Sequence, residues 1–463
     1  MANSLTKIQQ GALASDAIAS DAQNNTVAGT NAGDSFDGTN AISNTLIGSS
    51  AGTAITTGDE NTAVGYNALD ATTTGGNNVA IGREALGSNT TASNNTAIGD
   101  VALYANTTGT RNTAVGKSAL TANTTADDNT AVGRETLLAN TTGHSNTALG
   151  KSSMGTNTTG VNNTAVGVNS FLANTTGGQN TSVGAYALDA NTTASHNTAM
   201  GYLSLSANTT GTRNTATGSH TLEANTTSND NTAFGYAALY LNTTGGSNTS
   251  VGTYSLDANT TGDANTAVGY HALSGNTTAA NNVAVGNSAL LSNTTGHSNT
   301  AIGKAALTTN TTANSNTGVG FAALQDNTTG ASNCALGADA ATNNTTGTHN
   351  IAVGSAALYT TTTGSYNTAI GGQTLYYNTT GADNTAVGYD ALQDNTTGAS
   401  NTAVGVGSLD QNTTGASNVA VGNDSLGANT TGTQNTAIGL EALKVNTTGQ
   451  DNTGVGRRAL DAN

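Results

Sequence analysis

The sequence predicts an all-β chain, a parallel β-solenoid or β-roll of 17-residue repeats with about 25 coils, and three observations carry that prediction. A glycine recurs at a constant step of 17 from Gly48 to Gly456, with no insertion or deletion along the way. Apolar residues hold fixed places between those glycines. Composition argues against an ordinary globular core, since only 8% of residues are charged and 4% aromatic, where globular proteins carry roughly 25% charged residues. Length alone would suggest about three domains of roughly 150 residues, but self-similarity takes precedence over that estimate. Disorder is excluded because disordered chains lack regularly placed apolar residues.

Counting from the first Asn of a unit such as "NTAVGYNAL" (residues 61–69), the recurrent glycine is position five. Position four is Val, Ile, Leu, Met or Phe except at Thr217, and position nine is Leu except at Gly52, Met154, Phe171 and Ala341. These two columns form an aliphatic ladder. Position three is Ala, Ser or Gly except at Leu46, and position eight is always Ala, Ser or Thr. Position twelve is Asn except at Ile55, Thr72 and Thr361, and it opens an "NTTG" or "NTTA" stretch. There Asn can bond nearby backbone and Gly can take positive φ, which is turn chemistry.

Each unit therefore reads as two short extended pieces joined by turns, because a segment so rich in Gly, Asn and Thr has little helix propensity. Strands from successive units stack roughly 4.8 Å apart, so 24 steps predict a rod of about 115 Å. The absence of insertions follows if every turn rests on a like turn. Ala63 and Val64 are adjacent, as are Ala68 and Leu69, so both faces of both pieces carry apolar groups. Burial on both faces calls for several chains sharing a core, the aliphatic ladder filling one compartment and the small ladder permitting close approach in another.

The units "NNVAIG" (77–82), "NNVAVG" (281–286) and "SNVAVG" (417–422) resemble the N-x-V-A-I-G repeats in the heads of trimeric autotransporter adhesins. The unit "NTAVGYNAL" also resembles repeats of bacteriophage tail fibres. This likeness covers roughly residues 44–463 and implies an intertwined or side-by-side homotrimeric rod. The adhesin-head unit is shorter, the added residues here falling in the "NTTG" turn. No coiled-coil stalk or membrane anchor accompanies the repeats, which favours the phage reading.

Residues 1–43 lack the period. Leu5, Ile8, Leu13 and Ile18 give a weak helical pattern interrupted by Gly11, and "GTNAGDSFDGTN" (29–40) reads as a linker. The segment is either a partly disordered tail or an anchor that docks on a virion structural protein. The sequence ends at Asn463, position twelve of its unit. An open last coil exposes a strand edge, so a covering partner or a removed C-terminal piece is expected.

A formal net charge of −16 with 11 Lys and Arg argues against nucleic acid, whose phosphates need clustered cations. The lone Cys334 excludes an intrachain disulfide framework and a cysteine zinc site, and is expected as a buried thiol. No apolar run suggests a secretory signal or membrane insertion. His144, His196, His220, His271, His297 and His349 share no column in neighbouring units, so no metal site or general base is expected. Asp70, Asp127, Asp128, Asp257 and Asp410 form no unbroken ladder, and the calcium-binding G-G-x-G-x-D unit is absent. The recurrent Asn-Thr-Thr, formally a glycosylation acceptor, reads as turn sequence. No catalytic residue, cofactor or enzyme activity is expected.

The reading that follows is a structural fibre of a virion, on tail or head, holding a rod against a host-surface receptor. A bacterial surface adhesin or extracellular filament subunit is the alternative. An ice-binding solenoid is a third, disfavoured because the Thr-Thr pairs fall in turns. The variable columns define no receptor patch, although Tyr236, Tyr240, Tyr376 and Tyr377 are candidates for one.

Overall fold

The computed structural model describes residues 19–36, 38 and 40–461. The chain divides into two compact units, Met1–Asn229 and Asp230–Asn463, and both are built from the same coil. Each coil contributes one strand, covering positions two to four, from Thr45–Ile47 to Thr215–Thr217 in the first unit and from Thr232–Phe234 to Thr453–Val455 in the second. Within each unit neighbouring strands pair in parallel at a step of 17, as in Thr113↔Thr130 and Val283↔Thr300. Among the described residues there is no helix. Both units are therefore all-β parallel solenoids.

The second extended piece expected in each unit is not a strand. Positions six to eleven run as turns, and the backbone there is left-handed at positions seven and nine, as in His271 (φ 52) and Leu273 (φ 55). This changes which side chains face inward. In the strand, alternation sends position three in and positions two and four out. At positions eight and nine the left-handed turn brings two adjacent residues to the interior together. Ala267, Ala272 and Leu273, at positions three, eight and nine, are all fully buried. Each unit thus has its own core of Ala and Leu columns, in which small and aliphatic side chains sit together, not in the separate compartments expected. Position four, assigned to the interior by its composition, faces outward.

The anchor glycine makes the corner between strand and turn. Gly286 has φ +139, and a Cβ there would stand 2.5 Å from the carbonyl oxygen of Gly303 in the next coil. Only glycine adopts that region without strain. An unbroken glycine column is the consequence.

Two asparagine columns close the coil. At position one, Asn316 accepts the Asn333 backbone N–H at Oδ1 (2.9 Å) and donates Nδ2–H to the Gly330 carbonyl (2.9 Å). At position twelve, Asn327 donates to the same carbonyl (2.9 Å) and to Oδ1 of Asn310 in the preceding coil (2.9 Å). Both side chains are fully buried, so these bonds satisfy groups that would otherwise each cost about 1–3 kcal/mol. Thr328, at position thirteen, adds a hydroxyl bond to the Thr345 carbonyl (2.9 Å).

One gap in the position-twelve ladder is informative. Thr361 stands where an Asn would donate to Asn344, and Asn344 Oδ1 is buried without a partner. Thr361→Asn should restore both that bond and the bidentate hold on the turn, and is expected to stabilise the second unit by about 1 kcal/mol. A thermal melt of the variant that shows no gain would mean Asn344 Oδ1 is satisfied by solvent.

The ladder reaches further back than the sequence period. Thr26–Ala28 pairs in parallel with Thr45–Ile47, and the Asn44 N–H donates to Asn25 Oδ1 (2.8 Å). That coil takes 19 residues per step rather than 17, and Ala19–Ser20 pairs antiparallel with its strand. Leu5, Ile8, Gly11, Leu13 and Ile18 lie outside the described residues, as does Asn463.

Candidate interaction surfaces

The outer face of each sheet is built from positions two and four. Position two is mostly Thr, and Cys334, which occupies that column, is exposed rather than buried as expected. The strand alternation that buries Ala335 turns its neighbour out. Position four forms a column of large apolar side chains facing outward. In the first unit it includes Ile98, Leu149 (47% exposed) and Met200; in the second, Phe234 (58%), Leu336 (50%) and Ile438. Scattered exposed apolar residues are ordinary, whereas a contiguous set marks a contact surface. Here stacking of the coils makes the column continuous within each unit.

Positions six and seven carry zones of different chemistry. Between Arg83 and Lys151 position six is charged throughout: Arg83 pairs with Asp100 (2.8 Å), which also faces Lys117 (3.6 Å). Nearby, at position seventeen, Arg111 bonds Asp128 (2.7 Å) and holds its carboxyl below the usual range. Near the far end, Lys444 and Arg458 bond Glu441 and lower its pKa to about 2. Solvent screens exposed pairs of this kind, so they contribute little to stability. A shallow depression lined by Thr125, Asp127, Asp128 and His144 lies beside the Arg111 pair.

The histidines are dispersed. His144 and His297 contact their neighbouring serines, and His220 bonds Glu223 (2.5 Å). His271 stacks on Tyr254 and His349 on Tyr366, while the His196 backbone N–H donates to Gly178. Among the described residues no three His, Cys, Asp or Glu side chains gather as a metal-binding group, and no helix is long and apolar enough to cross a membrane.

The tyrosines named from the sequence separate into two places. Tyr376 stacks on Tyr359 at 5.1 Å and meets Tyr377 edge-on at 4.6 Å. Tyr236 packs edge-on against Tyr254 at 5.4 Å, and Tyr240 is exposed.

Of the aspartates named from the sequence, Asp127 and Asp128 hold positions sixteen and seventeen, while the others share position ten. Asp70, Asp189, Asp257 and Asp410 all occupy that column, and burial pushes the pKa of each up. Asp410 reaches about 6, with Asp394 and Asp424 adding repulsion. Its folded pKa lies above the ordinary value, so the folded state binds the proton more tightly. Stability is highest below about pH 4 for this group and falls as pH rises through about 6. Asp410→Asn removes that loss, and is expected to stabilise the second unit by about 1 kcal/mol at pH 8, after allowing for solvent screening, with little change at pH 4. Equal melting shifts at both pH values would exclude titration as the cause.

No protein-family model matches the chain, and no curated protein matches it.

Proposed function

We propose that the chain is a structural fibre protein of a virion, a homotrimer that carries contact with a host surface. The observation behind this reading is the outward position-four column. A folded coil already buries its Ala and Leu columns, so the remaining Val, Ile, Leu, Met and Phe side chains of position four are left half-buried or exposed. A second and third copy, each with the same column at the same step, supply a cover of matching period about a three-fold axis. The likeness of the repeats to phage tail fibres supports the virion assignment, and their likeness to adhesin heads supports the trimer. Residues 1–18 precede the first described strand and are the proposed attachment to the particle. The function is structural, with no catalytic step.

Mass measurement in solution tests the assembly: three copies of the 45.3 kDa chain are expected. A monodisperse, stably folded monomer would sink the reading. Removal of residues 1–18 leaves the Asn25 coil intact, so the shortened chain should assemble yet be missing from purified particles. Its retention there would move the attachment elsewhere on the chain.

A further inference from the structure

Positions six and seven carry an aromatic ring in three successive coils of the second unit: Tyr236, Tyr254, then Tyr270 with His271. Elsewhere in that unit these columns hold isolated rings only, Phe321 and Tyr389. The rings touch in sequence. Tyr236 meets Tyr254 edge-on at 5.4 Å, Tyr254 stacks on His271 at 5.2 Å, and Tyr270 meets His271 edge-on at 4.2 Å. Tyr236 is 47% and Tyr270 51% exposed.

The rings stand on a rigid base. They lie within two residues of the anchor-glycine corners, and the Tyr254 N–H donates to the Tyr236 carbonyl (3.1 Å), while the His271 N–H donates to that of Thr253 (3.2 Å). Little conformational freedom of the backbone remains to be lost on binding, which is the condition for a preformed site. Large flat rings with hydroxyl tips offer apolar faces and hydrogen-bonding edges together. That combination matches a sugar ring, which has one C–H-rich face and a rim of hydroxyls.

Charge narrows the ligand. No Lys or Arg occurs between Arg213 and Lys304, so this stretch has no cation to hold a sulfate, phosphate or carboxylate. The rings follow one another from coil to coil instead of enclosing a point, which fits an extended chain better than a single cation. We infer that the Tyr236–Tyr254–Tyr270 surface binds a neutral polysaccharide, sugar rings lying along the successive tyrosines. This deepens the host-contact reading and rests on it for the claim that the surface meets a cell. The run Tyr186, Tyr202 and His220 of the first unit is looser, with edge-on contacts only at 6.4 and 5.5 Å and no stacked pair among them.

The test uses the full chain on an array of neutral glucans, mannans, galactans and chitin fragments. Binding is also followed by tyrosine emission, since the chain has no Trp. The wild type should bind at least one neutral glycan. The triple variant Tyr236→Ala, Tyr254→Ala, Tyr270→Ala should lose affinity by about tenfold or more, at unchanged solution mass and melting temperature. Tyr66→Ala, which removes an isolated ring of the first unit, should bind as the wild type does. Absence of any neutral-glycan binding by the wild type would overturn the inference, as would undiminished binding by the triple variant. A triple variant whose mass falls would identify the rings as an assembly contact and overturn it too. Because these measurements need no particle, their failure is distinct from failure of the virion assignment.

Discussion

Gly286→Ala is expected to open the second unit locally at a cost of about 3–5 kcal/mol, although the change adds a single methyl group. The backbone at Gly286 has φ +139, which an L-residue adopts only under strain, and the added carbon would press on the Gly303 carbonyl of the next coil. Relief by moving Gly303 shifts the coil above, whose own anchor meets Gly320 in the same way. Strain is therefore passed along the stack rather than absorbed. Gly296→Ala provides the comparison. An added Cβ there also meets backbone, at Ala313, but φ at Gly296 is not positive, and Ala already occupies this column at Ala279 and Ala313. That variant should stay within about 1 kcal/mol of the parent. Hydrogen exchange and limited proteolysis near residues 286–303 provide the readout, because repeat proteins open locally. Equal behaviour of the two variants would show that backbone conformation is not what keeps the anchor column glycine.

The solenoid and its register were legible because from Asn44 onward every coil stacks on one of equal length, which leaves the period intact in the sequence. The direction of the aliphatic side chains was harder to read, since positions four and nine look alike by hydrophobicity. Their compositions differ in a way that has a physical cause. Position nine never contains Val or Ile, whereas position four is rich in both. β-Branched residues favour strands and are outliers at positive φ, so their absence marked position nine as left-handed backbone. Once it is left-handed, Leu and the preceding small residue turn inward together, and position four is left outside. Cys334 follows from the same alternation, lying one residue before the buried Ala335.

The surface was less legible still. Position one is Asn in all 25 repeats, a regularity that turn chemistry alone does not require. The side-chain ladder to the next coil, as from Asn316 to Asn333, does require it. The aromatic run in columns six and seven was missed in the sequence, where Tyr236 was grouped with Tyr240, because only the coil geometry puts positions six and seven of neighbouring coils in contact. The coil beginning at Asn25 escaped the period because its step is 19.

Leu290→Asp is expected to be the most damaging single change in the core of the second unit, at about 5 kcal/mol or more. Leu290 is fully buried, and its removal from the core alone forfeits about 1.5–3 kcal/mol. The carboxylate that replaces it has no cation within reach, since the second unit holds no Lys or Arg before Lys304, whose column faces solvent. Backbone strain is not the cause, because Asp accepts left-handed φ more readily than most residues. Leu290→Ile separates the two effects. It keeps the apolar volume, and such swaps ordinarily cost less than about 1.5 kcal/mol, but it places a β-branched residue at φ 50. A further 1–2 kcal/mol or so is expected from that conformation, whereas Leu290→Met should remain close to the parent. If Ile and Met melt alike, the left-handed turn at position nine is not what excludes β-branched residues, and the account of why position four faces outward loses its support. If Asp is tolerated, position nine is not interior at all, and the proposal that position four makes contact between copies loses its basis.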